Sequence, residues 1–299
     1  MPTYKFISQI LIAFGILLIN LFVFTLIAGY VCNTYYNVDV AQVLKNSNFD
    51  IINHNQTIAI RIFQGIVSLG SFTFSAFVIS FLLKQKPIEY LKLNKKPEWK
   101  VLLFIPILLF VSVPFISWLL EINSKLTFPG FISSVEVFFK NLEQNNNKIY
   151  DLMLTMNTPT DLYMNIVIMA LIPAIGEELF CRGVLLNIFY GYTQKFYRSA
   201  FMVALVFSML HLQLYKIVPM VLIAFLLGVF VSWTKGLWAS IIFHFLNNSM
   251  AVVGKYLFIK GYDNFFTNQQ TVFPYYYVII SFVLSFAVVY FLNKNYKNE

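Results

Sequence analysis

The stretch 161–192, DLYMNIVIMALIPAIGEELFCRGVLLNIFYGY, decides the fold. It is long and apolar enough to cross a bilayer, yet it holds Glu177, Glu178 and Arg182 at its centre. A charged residue at mid-span costs about 2.5–3.5 kcal/mol on insertion scales. A chain that keeps three of them there needs a use for them.

The rest of the chain sets the same class. Of 299 residues, 59% are hydrophobic and 11% charged, against about 25% charged in a soluble domain. The composition predicts an all-α, polytopic membrane helix bundle in one embedded domain, residues 1–299. Apolar runs place spans near 6–31, 58–83, 99–120, 162–190, 199–214, 217–234, 237–258 and 274–293, about eight transmembrane helices. The fifth and sixth are short and close together, as in a tight hairpin. The first run is too long for a signal-peptide core, which suggests an uncleaved span.

Charge sets the orientation. The loop 84–100, KQKPIEYLKLNKKPEWK, has six Lys and two Glu in 17 residues. The positive-inside rule puts it in the cytoplasm, and both termini with it. The net charge of +8 is then membrane-facing lysine rather than a nucleic-acid footprint, and no nucleic acid is expected as a partner. Arg61, Lys216 and Lys255 fall on the opposite side in this count. The expected location is the plasma (inner) membrane.

Residues 1–160 supply the N-terminal spans and a long extracytoplasmic stretch, about 121–161. Within it Phe131, Val135, Phe138, Phe139 and Leu142 recur at near-helical spacing. That pattern fits a helix lying on the membrane interface or an ordinary surface helix. Pro106 and Pro114 are expected to kink the third span. Cys32 and Cys181 give neither a disulfide framework nor a Cys-x-x-Cys pair. His54 sits in the polar stretch NFDIINHNQ and is expected to be solvated.

Three polar clusters follow one another in residues 161–258. Glu177, Glu178 and Arg182 come first, then His211 at the end of FSMLH, then His244, Asn247 and Asn248 in HFLNN. Neighbours on a helix point about 100° apart, so Glu177 and Glu178 face different places. Glu178 and Arg182 are i,i+4 and can pair, leaving Glu177 free to face the bundle. His244 and Asn248 share a face by the same spacing. Pro173 withdraws a backbone donor one turn before Glu177, so a bend is expected beside it. Each polar residue alone could merely bond a neighbouring helix. A carboxylate, two imidazoles and a carboxamide on three spans are also what hydrolysis requires.

EELFCR, FSMLH and HFLNN resemble, in order, the EExxxR, FxxxH and HxxxN motifs of the CPBP family of intramembrane proteases. That family includes CAAX-processing prenyl-protein endopeptidases and proteins linked to bacteriocin immunity. The resemblance covers about residues 165–255, and the first 150 residues add only their apolar runs to it. It implies a catalytic set of Glu177, His211, His244 and Asn248, supported by Glu178 and Arg182. It implies an endopeptidase acting on membrane-associated or lipidated peptides, with lipid and a peptide or protein substrate as partners.

Two chemistries suit the set. A divalent metal, most simply zinc, would be held by Glu177, His211 and His244 and lower the pKa of a bound water to about 7. Without metal, Glu177 assisted by His211 would be the base on water, and His244 with Asn248 would stabilise the oxyanion. Helix lengths put the site within the bilayer, nearer the cytoplasmic side. Two other functions fit intramembrane Glu and His: a proton-coupled transporter and a non-catalytic scaffold or immunity protein. The first is disfavoured by the absence of an internal repeat.

Overall fold

The computed structural model describes residues 1–45, 53–97, 99–127, 129–262 and 273–296. Its long helices are α1 (Thr3–Tyr36), α3 (His54–Leu82), α5 (Trp99–Ser124), α7 (Pro159–Thr193), α8 (Phe196–Leu210), α9 (Ile217–Thr234), α10 (Trp238–Ile259) and α11 (Tyr275–Tyr296). Between them lie the short α2 (Val40–Lys45) and α4 (Pro87–Tyr90) and the amphipathic, 21-residue α6 (Ser133–Met153). Each apolar run of the sequence is thus one of the eight long helices. Six long apolar segments meet the length and composition needed to cross a membrane. Helix α8, with 15 residues, is short, and α10 carries His244, Asn247 and Asn248. The chain is a multi-pass helical membrane protein.

Contacts between loops sort the bundle into two ends. At one end, the Lys92 carbonyl accepts the Leu237 amide and Trp238 Nε1–H donates to the Leu93 carbonyl. Trp233 bonds Asn293 there as well. This is the lysine-rich end; burial, then the charge of Lys235, holds the Lys92 ammonium below its usual range. At the other end, Asn55 donates to the Tyr36 carbonyl, Asn123 to the Leu214 carbonyl and Lys260 to the Asn157 carbonyl. Helix α6 lies at this second end.

The most buried part of the bundle surrounds Phe180, Cys181, Val184 and Leu185 of α7, packed by α1, α3, α8 and α9. By contrast α1 and α11 turn Leu18, Phe22, Ile279 and Phe286 outward, as lipid-facing helices do. Close approach is set by small residues. A Cβ on Gly176 would lie 2.9 Å from Thr73 Oγ1 and 3.0 Å from Phe72 Cβ, so glycine lets α7 cross α3 at that point. Proline effects are absorbed locally. Before Pro173 the helix widens into a π-turn over Ile166–Leu171, ahead of the place beside Glu177 where the sequence suggested a bend. At Pro114, Ser281 of α11 donates to the Val111 carbonyl and accepts the Phe115 amide. The hydroxyl thus bridges the ladder that proline opens.

Arg61, counted with the extracytoplasmic charges, lies at that second end and is fully buried near the start of α3. It donates to Asp161 Oδ1 at 2.7 Å and to the carbonyls of Met153 (2.9 Å) and Thr155 (2.6 Å). Asp161 in turn accepts from the amides of Asn157 and Thr158 and from the Thr158 hydroxyl. A count by position along the chain cannot see a partner 100 residues away. Breaking a buried pair strands the other charge, so Arg61→Ala is expected to cost about 3–5 kcal/mol. A large drop in the thermal midpoint of the purified protein checks this. An unchanged midpoint would show that the pair carries little of the fold.

His54 is exposed at the start of α3, as expected. Cys32 and Cys181 are both free and buried.

Candidate functional site

Helix α7 carries the site's carboxylates on a short α-helical segment, Ile172–Glu178, between two π-turns. The second π-turn, Leu179–Leu185, contains Arg182. Such turns recur at functional places because they re-aim side chains within an unbroken helix. Glu178 and Arg182 form the pair that their spacing predicted, 2.7 Å apart, with side chains 0% and 1% exposed. Arg182 also donates to the Ala224 carbonyl of α9 at 2.7 Å and lies over the Phe207 ring at 5.0 Å. The guanidinium therefore ties α7 to both helices of the α8–α9 hairpin.

Glu177 points elsewhere, as two neighbours on a helix must. Its Oε2 lies 3.7 Å from His244 Nε2 and 4.0 Å from His211 Nε2. Three groups from α7, α8 and α10 thus meet. These separations are too long for direct hydrogen bonds and suit a small third group between them. The side chains are 13%, 33% and 9% exposed for Glu177, His211 and His244, so the cluster is partly open on the His211 side.

The far nitrogen of each ring is engaged. His211 Nδ1 lies 2.8 Å from the Phe207 carbonyl. A carbonyl only accepts, so the proton is on Nδ1 and Nε2 of the neutral ring offers its lone pair. His244 Nδ1 lies 3.0 Å from Glu178 Oε1, the same oxygen that Arg182 holds. A carboxylate bonded to a guanidinium accepts as well, so Nδ1 donates here too. Both rings are oriented through Nδ1 and present Nε2 to Glu177. Glu178 thus has a second task that the sequence did not suggest: besides pairing Arg182, it orients His244. Its other oxygen, Oε2, is buried without a hydrogen-bond partner. Only the crossing of α7 and α10 reveals this.

Asn248 lies one turn beyond His244 on α10 and is partly buried. Its Oδ1 accepts from Asn247 Nδ2 at 3.4 Å, which leaves its own amide free to donate. His211 lies just past the end of its helix, whereas the sequence put it inside the span 199–214. Helix α8 ends at Leu210 and His211 caps it, because the apolar HLQL run that follows forms a turn rather than more helix. Cys181 is packed in the apolar core of the bundle.

Glu177, His211 and His244 have the donor chemistry of a zinc set, and Nδ1 tethers of this kind are common on metal-bound histidines. Their placement fits less well. Among the described residues no group of three or more His, Cys, Asp or Glu side chains is set out to hold a metal ion.

Residues 159–250 match the family model described as Type II CAAX prenyl endopeptidase Rce1-like. No curated protein and no solved structure matches the chain. The matched segment begins with α7, ends in α10 at Met250 and contains every polar group of the cluster. Over that segment, about a third of the chain, the protein is similar to the CPBP/CAAX protease family.

Proposed function

We propose that the protein is an endopeptidase of the plasma membrane. It hydrolyses peptide bonds of membrane-associated or lipidated peptides with Glu177, His211, His244 and Asn248. The observation that carries this reading is the convergence of two tethered imidazoles, through Nε2, on Glu177 Oε2 at 3.7 and 4.0 Å.

A water held between Glu177 and His211 gives up its proton as its oxygen attacks the scissile carbonyl. Glu177 takes that proton, and the lone pair of His211 Nε2 orients the water. The carbonyl oxygen becomes an oxyanion. The free amide of Asn248 donates to it, and protonated His244 donates through Nε2. Glu178 accepts from His244 Nδ1 and fixes the ring. Glu177 then returns the proton to the leaving amine, which restores the site. Arg182 balances the charge of Glu178 and touches no reacting atom.

The test uses a quenched fluorescent farnesylated peptide with a CAAX ending and purified protein in liposomes. Cleavage that follows the amount of protein and stays insensitive to chelators supports the scheme. Activity lost with a chelator and regained on adding zinc would move Glu177, His211 and His244 to a metal-ligand role. No cleavage of this peptide or its unlipidated and acylated counterparts would overturn the endopeptidase reading.

A further inference from the structure

His211 is held in place by residues far from it in sequence. It closes α8; Leu212 then takes left-handed backbone (φ 54°), and a single 3-10 turn, Leu214–Lys216, leads into α9. The side chain of His211 is 33% exposed, so packing alone leaves its ring a third open. Its position depends on the turn that follows.

Two buried side chains from outside the hairpin take up the polar backbone of that turn. Asn123, near the end of α5, donates to the Leu214 carbonyl at 3.2 Å and accepts the Val218 amide at 2.8 Å. Glu143, midway along α6, accepts the Tyr215 amide at 3.4 Å and lies 3.7 Å from Lys216 Nζ. Lys216 also donates to Asn147 at 3.2 Å, and the Lys140 ammonium sits 5.8 Å from the Tyr215 ring centre. One turn further, Asp151 pairs with Lys255 of α10 at 2.9 Å.

Glu143, Asn147 and Asp151 follow i, i+4, i+8 and form one stripe of α6. That stripe grips the α8–α9 turn and the far part of α10, the elements that carry His211 and His244. The α6 segment is also fixed at its end, where Arg61 bonds the Met153 and Thr155 carbonyls. A carboxylate kept buried in this place has a defined task, because the Tyr215 amide, in the turn that leads into α9, has no intrahelical acceptor.

We propose that Glu143 is a positioning residue. Helix α6 acts as a strap that clamps residues 212–216, and the clamp fixes His211 against Glu177. Glu143 acts through the turn and touches no reacting group.

The chain has three histidines, so ring 13C labelling of the full-length protein gives three signals that single substitutions assign. Glu143→Ala is expected to shift and broaden the His211 signal while that of His54 stays put. Glu143→Gln keeps an oxygen for the Tyr215 amide and is expected to hold the His211 signal near its original position. The kinetic arm rests on the endopeptidase reading. On the farnesylated peptide, Glu143→Ala is expected to lower kcat about tenfold at unchanged KM, with Glu143→Gln within about twofold of the parent. Glu121→Gln, at an exposed pair with Lys125, serves as the neutral control.

An unmoved His211 signal in Glu143→Ala overturns the proposal whatever the kinetics show. A signal that moves in a protein without peptidase activity leaves the strap standing and counts against the endopeptidase reading alone. If Glu143→Ala does not fold, Lys216→Ala probes the same clamp from its other side. It is expected to move the same signal less, and an unmoved signal there is equally decisive.

Discussion

Glu177→Gln is expected to abolish peptide hydrolysis, by about 10²–10⁴-fold in kcat, the range that a positioned general base contributes. The amide keeps the size of the carboxylate but cannot accept the water's proton. Little else is expected to change. Glu177 is 13% exposed and its nearest polar neighbours lie at 3.7 and 4.0 Å, so it makes no short bond whose loss would loosen the fold. The thermal midpoint should stay within about a degree or two of the parent, since changes away from packed or paired groups are usually within about 0.5 kcal/mol. Measured kcat and melting temperature together decide. Full activity in a folded Glu177→Gln protein would remove this residue from the chemistry, and the proposed mechanism with it.

Glu178→Ala is expected to do the reverse: fold stability falls first, and activity falls with it. The Arg182 guanidinium, 1% exposed, loses the carboxylate it pairs with and keeps the Ala224 carbonyl and the Phe207 ring. Leaving a buried charge unpaired costs about 3–5 kcal/mol. The same substitution frees His244 Nδ1, so the ring can turn away from Glu177. The double change Glu178→Ala, Arg182→Met removes the stranded charge and should recover stability without recovering kcat. Recovery of both would mean that the ring needs no carboxylate to aim it. Failure to recover stability would mean that the pair is not what the single change breaks.

The contrast between these two neighbours shows how much the sequence discloses. That Glu177 and Glu178 face different places follows from 100° per residue, and the Glu178–Arg182 pair follows from i,i+4 spacing. The long apolar runs are equally plain, because a bilayer demands about 20 apolar residues per crossing. The end of α8 was not plain: Leu212 and Leu214 extend the apolar run, yet the left-handed backbone at Leu212 terminates the helix at His211. The burial of Arg61 was hidden for a related reason. Its neighbours in sequence suggest a helix end near water, whereas its partners come from the chain around Asp161. The bond from Glu178 to His244 depends on where α7 and α10 cross, which local spacing does not encode.

The wide turns on either side of Ile172–Glu178 make the length of α7 a rotational setting. Each lets the helix absorb surplus backbone without shifting its ends. Removing one residue from Ile172–Glu178, between the turns, would swing the glutamates by about 100° relative to one docked end. Removing one from Leu179–Leu185 would instead draw out the surplus backbone and leave them facing the imidazoles. In this bundle the wide turns act as slack, and the segment between them as a dial.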